Sequence, residues 1–177
     1  MHIEGNLPEL PAEGSSVSGQ SFRSVLFVCL GNICRSPLAE GIFKVTCQAM
    51  QKNSQVRVES AGTSGRHQGE CADLRARTFA LKFGLDISNH RSRQISPADF
   101  TRFDLILCMD HRNLDAVKKR KPVESTARIE LVYKLVFNQD ISIPDPYEGE
   151  ESDFRRVYFM LLSACQELAG ERFFPGR

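Results

Sequence analysis

The sequence predicts an α/β protein: a doubly wound parallel four-stranded sheet with helices on both faces, and a phosphate-binding loop between strand 1 and helix 1. Three observations predict it. From Ser24 onward, short apolar runs alternate with stretches of helical period, which is the pattern of successive βα units. Two of the runs, 25–28 and 105–109, are apolar at nearly every position, so strands there are buried on both faces, as in a parallel sheet. The first run breaks at Cys29 into a small-residue loop that reaches Arg35 before Ser36 and Pro37 open a helix. Ligands of doubly wound sheets sit at such strand ends.

Each element has its own justification. Strand 1 takes residues 25–28. Helix 1 covers about 36–50, with Leu38, Ile42, Val45 and Ala49 on one face, and Pro37 suits its first position. Strand 2 takes 56–60. Helix 2 covers about 71–83 and turns Ala72, Ala76, Phe79, Ala80 and Phe83 inward, with Gly84 placed to end it. Strand 3 takes 105–109, and a helix follows to about Lys119. Strand 4 takes 129–132. The last helix spans about 152–168, where Phe154, Val157, Tyr158, Leu161, Leu162, Cys165 and Leu168 recur at helical spacing. One domain over 23–177 accounts for these elements. Residues 1–22 carry Glu4, Glu9, Glu13, two prolines and a Gly/Ser-rich run, and read as a flexible tail.

Composition excludes several classes. The 177 residues are 41% hydrophobic and 25% charged, with a net charge of +1 and a pI near 7.6. No overall field gathers nucleic acid or an anionic membrane surface, and no apolar run approaches the ~20 residues of a membrane span. Six cysteines without a signal peptide read as thiols and point to a cytoplasmic, reducing location. No His/Cys/Asp/Glu spacing reads as a metal site.

The chemistry concentrates in Cys29-Leu30-Gly31-Asn32-Ile33-Cys34-Arg35-Ser36-Pro37. A cysteine ending a strand is ordinarily a small buried hydrophobe. Here the strand before, the helix after, and Gly31 and Asn32 between them favour a loop whose N–H groups point inward at an anion. Five residues between thiol and guanidinium suit one turn around a tetrahedral anion. Arg35 then forks its oxygens while the Cys29 sulfur stands behind the phosphorus. The Gly-rich nucleotide loops, the competing motifs, are absent.

This loop resembles the signature of the low-molecular-weight protein tyrosine phosphatases. Further matches follow in order: Glu59-Ser60-Ala61-Gly62-Thr63, Asn89-His90-Arg91-Ser92-Arg93-Gln94-Ile95, residues 103–110 ending at Asp110, and Asp145-Pro146-Tyr147. The resemblance implies Cys29 as nucleophile, Arg35 as phosphoryl ligand, and Asp145 as general acid that later activates water. It implies a binding loop of Leu30, Gly31, Asn32, Ile33 and Cys34, supported by Ser36, Ser60 and His90. Ser36 is placed to hold the Cys29 sulfur as thiolate. Leu30 and Tyr147 would flank a phosphotyrosyl ring, and Arg66 stands on the rim where many relatives carry an aromatic. Asp110 matches the family pattern but also suits a helix cap, and Glu148, Glu150, Glu151 and Asp153 read as an acidic rim.

The implied activity is hydrolysis of protein phosphotyrosine and aryl phosphates through a cysteinyl-phosphate, with no metal and no cofactor. Its partners are phosphotyrosine-containing proteins, without nucleic acid or membrane insertion, and the chain is expected as a monomer or weak homodimer. Two alternatives share the fold. An arsenate reductase needs relay cysteines after helix 2, and residues 85–104 contain none. A phosphoarginine phosphatase typically carries Thr where this loop has Ile33.

Overall fold

The computed structural model describes residues 21–52 and 56–175. Four parallel strands, β1 (Ser24–Cys29), β2 (Arg57–Gly62), β3 (Leu105–Cys108) and β4 (Arg128–Leu131), lie in the order β2-β1-β3-β4. β1 is central, and Val28 pairs with Ala61 on one side and Cys108 on the other. Its alternate residues enter two different cores. Val25, Phe27 and Cys29 join Leu105 and Leu107 under the larger layer of helices, while Leu26 and Val28 join Ile106 and Cys108 against Phe100, Leu114 and Val117. Both sets are apolar because both faces are covered.

The larger layer holds α1 (Arg35–Ala49), α2 (Leu74–Leu81), α5 (Val132–Phe137) and α6 (Glu151–Leu168). The short α3 (Asp99–Arg102) and α4 (His111–Lys118) cover the other face. In α6, Phe154, Val157, Tyr158, Leu161, Cys165 and Leu168 are buried at helical spacing, while Leu162 is only partly covered. No helix among the described residues is long and apolar enough to cross a membrane.

Several sequence expectations need correction. α1 buries Leu38, Ala39, Ile42, Phe43 and Cys47, whereas Val45 is 53% exposed and Ala49 also faces solvent. Its inward stripe lies to one side of the expected one because Phe43 packs against Phe27 and Phe174. Pro37 sits third in α1 rather than first, still within the turn whose N–H groups have no helical acceptor. α2 begins later than expected because Asp73 caps it, accepting from the Arg75 N–H. Phe83 is 48% exposed and stacks on Tyr158, and Gly84 ends this segment at φ +74°. α3 and α5 were not expected. The strand expected over residues 129–132 leaves the sheet at Leu131, and the chain turns at once into α5.

Residues 1–20 of the expected tail lie outside the described residues. Phe22, by contrast, is buried against Phe174, and its N–H donates to Phe173 O at 2.8 Å, so the packed domain takes it in.

Candidate active site

Three loops meet at the C-terminal ends of β1, β2 and β3. The first, Leu30 to Cys34, joins β1 to α1. The second follows Gly62. The third carries Asp145 and is pinned at both ends: the Ile143 N–H donates to Met109 O at 2.7 Å, and Glu150 and Asp153 form a reciprocal cap at the start of α6. The loops surround a cleft of about 470 Å³ with Cys29, Arg35 and Asp145 in its lining.

The first loop is held open by outward-facing carbonyls. The Gly31 carbonyl accepts from Ser92 Oγ at 2.9 Å, and the Asn32 carbonyl accepts from His90 Nε2 at 2.9 Å. Asn32 takes the left-handed conformation at φ 56° and is fully buried, a geometry Asn tolerates better than most residues. With those carbonyls turned out, the N–H groups of Leu30, Gly31, Ile33 and Cys34 take no protein acceptor among the described residues, as an anion nest requires.

Polar side chains connect this loop to the sulfur. Asn32 Nδ2 donates to both Ser36 Oγ and Ser60 Oγ at 2.9 Å. Ser36 Oγ lies 3.0 Å from Cys29 Sγ, and the Asn32 N–H points at the same sulfur from 3.3 Å. Because Ser36 already accepts from Asn32, its own proton is available to the sulfur, and a thiolate there gains two donors. Ser36→Ala should therefore slow alkylation of Cys29 by iodoacetamide at pH 6 about tenfold, followed on the loop peptide by mass spectrometry. An unchanged rate would mean that Ser36 donates instead to Ala61 O, 3.4 Å away.

Other cysteines are poorer candidates for a nucleophile. Burial, assisted by Asp73 and Cys29, pushes the Cys34 thiol well up, and burial does the same to Cys108 and Cys165. Cys47 is pushed up to about 11, again chiefly by burial. Each of these stays a protonated thiol near neutral pH.

Arg35 is 2% exposed and lines the same cleft. Its Nη1 donates to Asp110 Oδ2 at 2.6 Å and to Ile143 O at 3.0 Å, and its Nη2 donates to Asp145 Oδ2 at 2.6 Å. Burial works against its charge, but Cys29, Asp145 and Asp110 outweigh burial and hold the guanidinium above its ordinary pKa. Its Nε is buried without a partner among the described residues. An unsatisfied buried donor is costly, and an oxyanion in the loop would satisfy it.

The catalytic, loop and supporting residues read from the sequence gather here, whereas of the expected acidic rim only Glu148 lines the cleft: Glu150 and Asp153 cap α6, and Glu151 pairs with Lys82. Leu30 and Tyr147 stand exposed at the mouth, and Arg66 lines it. Asp110 caps α4 as its sequence suggested, accepting from the Asn113 N–H at 2.7 Å, and it also pairs with Arg35, which the sequence did not indicate. Others were missed. Glu40 accepts from Ser60 Oγ at 2.6 Å and faces His90 Nδ1 from 3.9 Å, so it fixes two supports of the loop. His67 lines the cleft beside Gly31 and Tyr147. Gly62 lies directly beneath the loop: a Cβ there would stand 2.7 Å from Leu30 O and 3.1 Å from Asn32 N. Gly62→Ala should displace the loop, lower stability by about 1–3 kcal/mol in urea unfolding, and weaken phosphate binding. Unchanged binding would show that the loop yields without cost.

Comparison with known proteins agrees with this geometry. The chain matches the family model described as low molecular weight phosphotyrosine protein phosphatase over residues 24–173. A low molecular weight phosphotyrosine protein phosphatase of Pongo abelii is 45% identical over 151 residues, covering 83% of this chain and 94% of the relative. The crystal structure of a protein tyrosine phosphatase from Entamoeba histolytica is 36% identical, with a TM-score of 0.77 over 82% of this chain and 93% of that one. The crystal structure of a Drosophila arginine phosphatase is 32% identical, with a TM-score of 0.74 over 81% and 94%.

Proposed function

This chain belongs to the low molecular weight phosphotyrosine protein phosphatase family, and on that premise we propose that it hydrolyses phosphotyrosine in proteins by two displacements at Cys29. The observation that carries the reading is the convergence of the Cys29 sulfur, the buried Arg35 and the half-exposed Asp145 on one cleft. The phosphoryl group rests in the nest with its oxygens on the loop N–H groups and Arg35. The thiolate attacks phosphorus, an S–P bond forms, and the P–O bond to the phenol breaks while Asp145 gives its proton to the departing oxygen. Asp145, now a carboxylate, takes a proton from water as that water attacks phosphorus. Inorganic phosphate leaves and the thiolate returns.

The Arg35–Asp145 pair bears on the order of events. An incoming phosphoryl dianion competes for the same guanidinium, so Asp145 is released from Arg35 as substrate seats. Every group in this scheme comes from the chain, so it calls for no metal and no cofactor. The thiolate chemistry suits a reducing, cytoplasmic setting.

A second reading is dephosphorylation of arginine, favoured by the likeness to the Drosophila arginine phosphatase. Against it stands Ile33, which lines the cleft and is nearly buried. A phosphoguanidinium presents N–H donors, and an isoleucine side chain accepts none. Initial rates with p-nitrophenyl phosphate and with phosphotyrosine, phosphoarginine and phosphoserine peptides test both. Phosphotyrosine should be preferred to the other peptides. A preference for phosphoarginine would exchange the two readings, and no hydrolysis of any would remove them.

A further inference from the structure

The mouth of the cleft carries charge that phosphoryl transfer leaves unused. Arg66 on the loop after β2 and Glu148 on the loop before α6 both line it and are both exposed. Among the described residues neither side chain has a hydrogen-bond or ion-pair partner, for Arg66 is engaged only through its backbone N–H. The neighbouring basic side chains are occupied. Arg35 is held by Asp110 and Asp145, and His67 lies 2.9 Å from Glu70. Arg75 pairs with Asp73 at 2.9 Å while its guanidinium covers the Tyr147 and Phe154 rings. Among the described residues Arg66 is thus the one unengaged cation in the lining, and it shares the mouth with Leu30 and Tyr147.

We propose that Arg66 is a specificity-determining residue that selects phosphotyrosyl segments carrying an acidic side chain on its side of the cleft, and that Glu148 disfavours acid where it lines the mouth itself. The proposal rests on the phosphotyrosine reading above. When the phosphotyrosyl ring enters the cleft, the residues flanking it stay at the mouth, about 3.3 Å apart along an extended chain. A long, unpaired guanidinium there reaches a carboxylate without breaking an existing pair, and can bind it bidentately. Exposed charge pairs are weak, so the discrimination is modest and falls as salt rises.

The test uses phosphotyrosyl peptides identical except for Glu, Ala or Lys at each of the positions flanking the phosphotyrosine. Their kcat/KM values are divided by that of p-nitrophenyl phosphate, which has no flanks, for the same variant. At low salt the wild type should prefer Glu over Lys on one flank by about fivefold, and the preference should shrink in high salt. Arg66→Lys should keep most of it, Arg66→Ala should bring it within about twofold, and Arg66→Glu should invert it. Peptides cleaved without regard to flanking charge, or an Arg66→Glu variant that still prefers Glu, would overturn the assignment of Arg66 alone. Hydrolysis of p-nitrophenyl phosphate but of no phosphotyrosyl peptide would overturn the phosphotyrosine reading itself.

Discussion

Replacing Cys29 by serine should lower turnover by on the order of 10⁴-fold or more, to the uncatalysed background, while phosphate and vanadate still bind. The two roles separate because different atoms carry them. Binding draws on Arg35 and the inward N–H groups of Leu30, Gly31, Ile33 and Cys34, with the outward Gly31 and Asn32 carbonyls fixed by Ser92 and His90. None of that changes when sulfur becomes oxygen. Attack on phosphorus needs an anion, and the groups around Cys29 Sγ are donors: Ser36 Oγ and the Asn32 N–H. Donors stabilise a thiolate, but they cannot take the proton of an alcohol. A serine there is therefore a hydroxyl with no base beside it. Vanadate titration by calorimetry and initial rates with p-nitrophenyl phosphate measure the two properties on one sample. Hydrolysis above a few per cent of wild type would remove Cys29 from the role of nucleophile.

What could be read in advance follows from how locally each feature is encoded. β1 and its loop are contiguous in sequence, so the apolar run, the Gly-Asn pair and Arg35 stood together and could be interpreted together. α6 was legible because one helix buries a single long stripe. α5 was not, because Val132 to Phe137, apolar but for Lys134, is too short for its helical period to outweigh its resemblance to a strand. The inward face of α1 was misplaced for a different reason: Phe43 is drawn in by Phe27 and Phe174, partners distant in sequence. The site divides the same way. Cys29, Arg35 and Asp145 are named by motif, but Glu40 sits in the middle of a helix and looks like a surface partner of Lys44, with which it does pair. Only folding brings Ser60 and His90 to its other oxygen. His67 and Gly62 escaped notice similarly, since what each touches lies on a different loop.

The last large effect concerns Asp145, and it should depend on the leaving group. A general acid contributes about 10²–10⁴-fold, and its contribution grows as the departing oxygen becomes more basic. Asp145→Ala should slow phosphoenzyme formation most with phosphotyrosine and less with p-nitrophenyl phosphate, whose phenoxide leaves readily without a proton. Hydrolysis of the phosphoenzyme should slow for every substrate, because the same carboxylate receives the proton of the attacking water. Rapid-quench measurements separate the two steps. The alanine variant also removes the 2.6 Å contact to Arg35 Nη2 and the contact at 3.3 Å that Asp145 Oδ1 makes with the Tyr147 N–H. Asp145→Asn supplies the control for shape: its side-chain oxygen can accept one of those bonds, but it has no proton to exchange at a carboxyl. If the effect is acid catalysis, both variants should show the same dependence on leaving group. An equal loss of the first step across phenols of very different acidity would mean that Asp145 only shapes its loop. The search would then move to the nearby carboxylates, and the structure orders them. Asp110 is committed to Arg35 and to the cap of α4, and Glu150 to the cap of α6. That leaves Glu148, which lines the cleft without a partner among the described residues, as the next to replace.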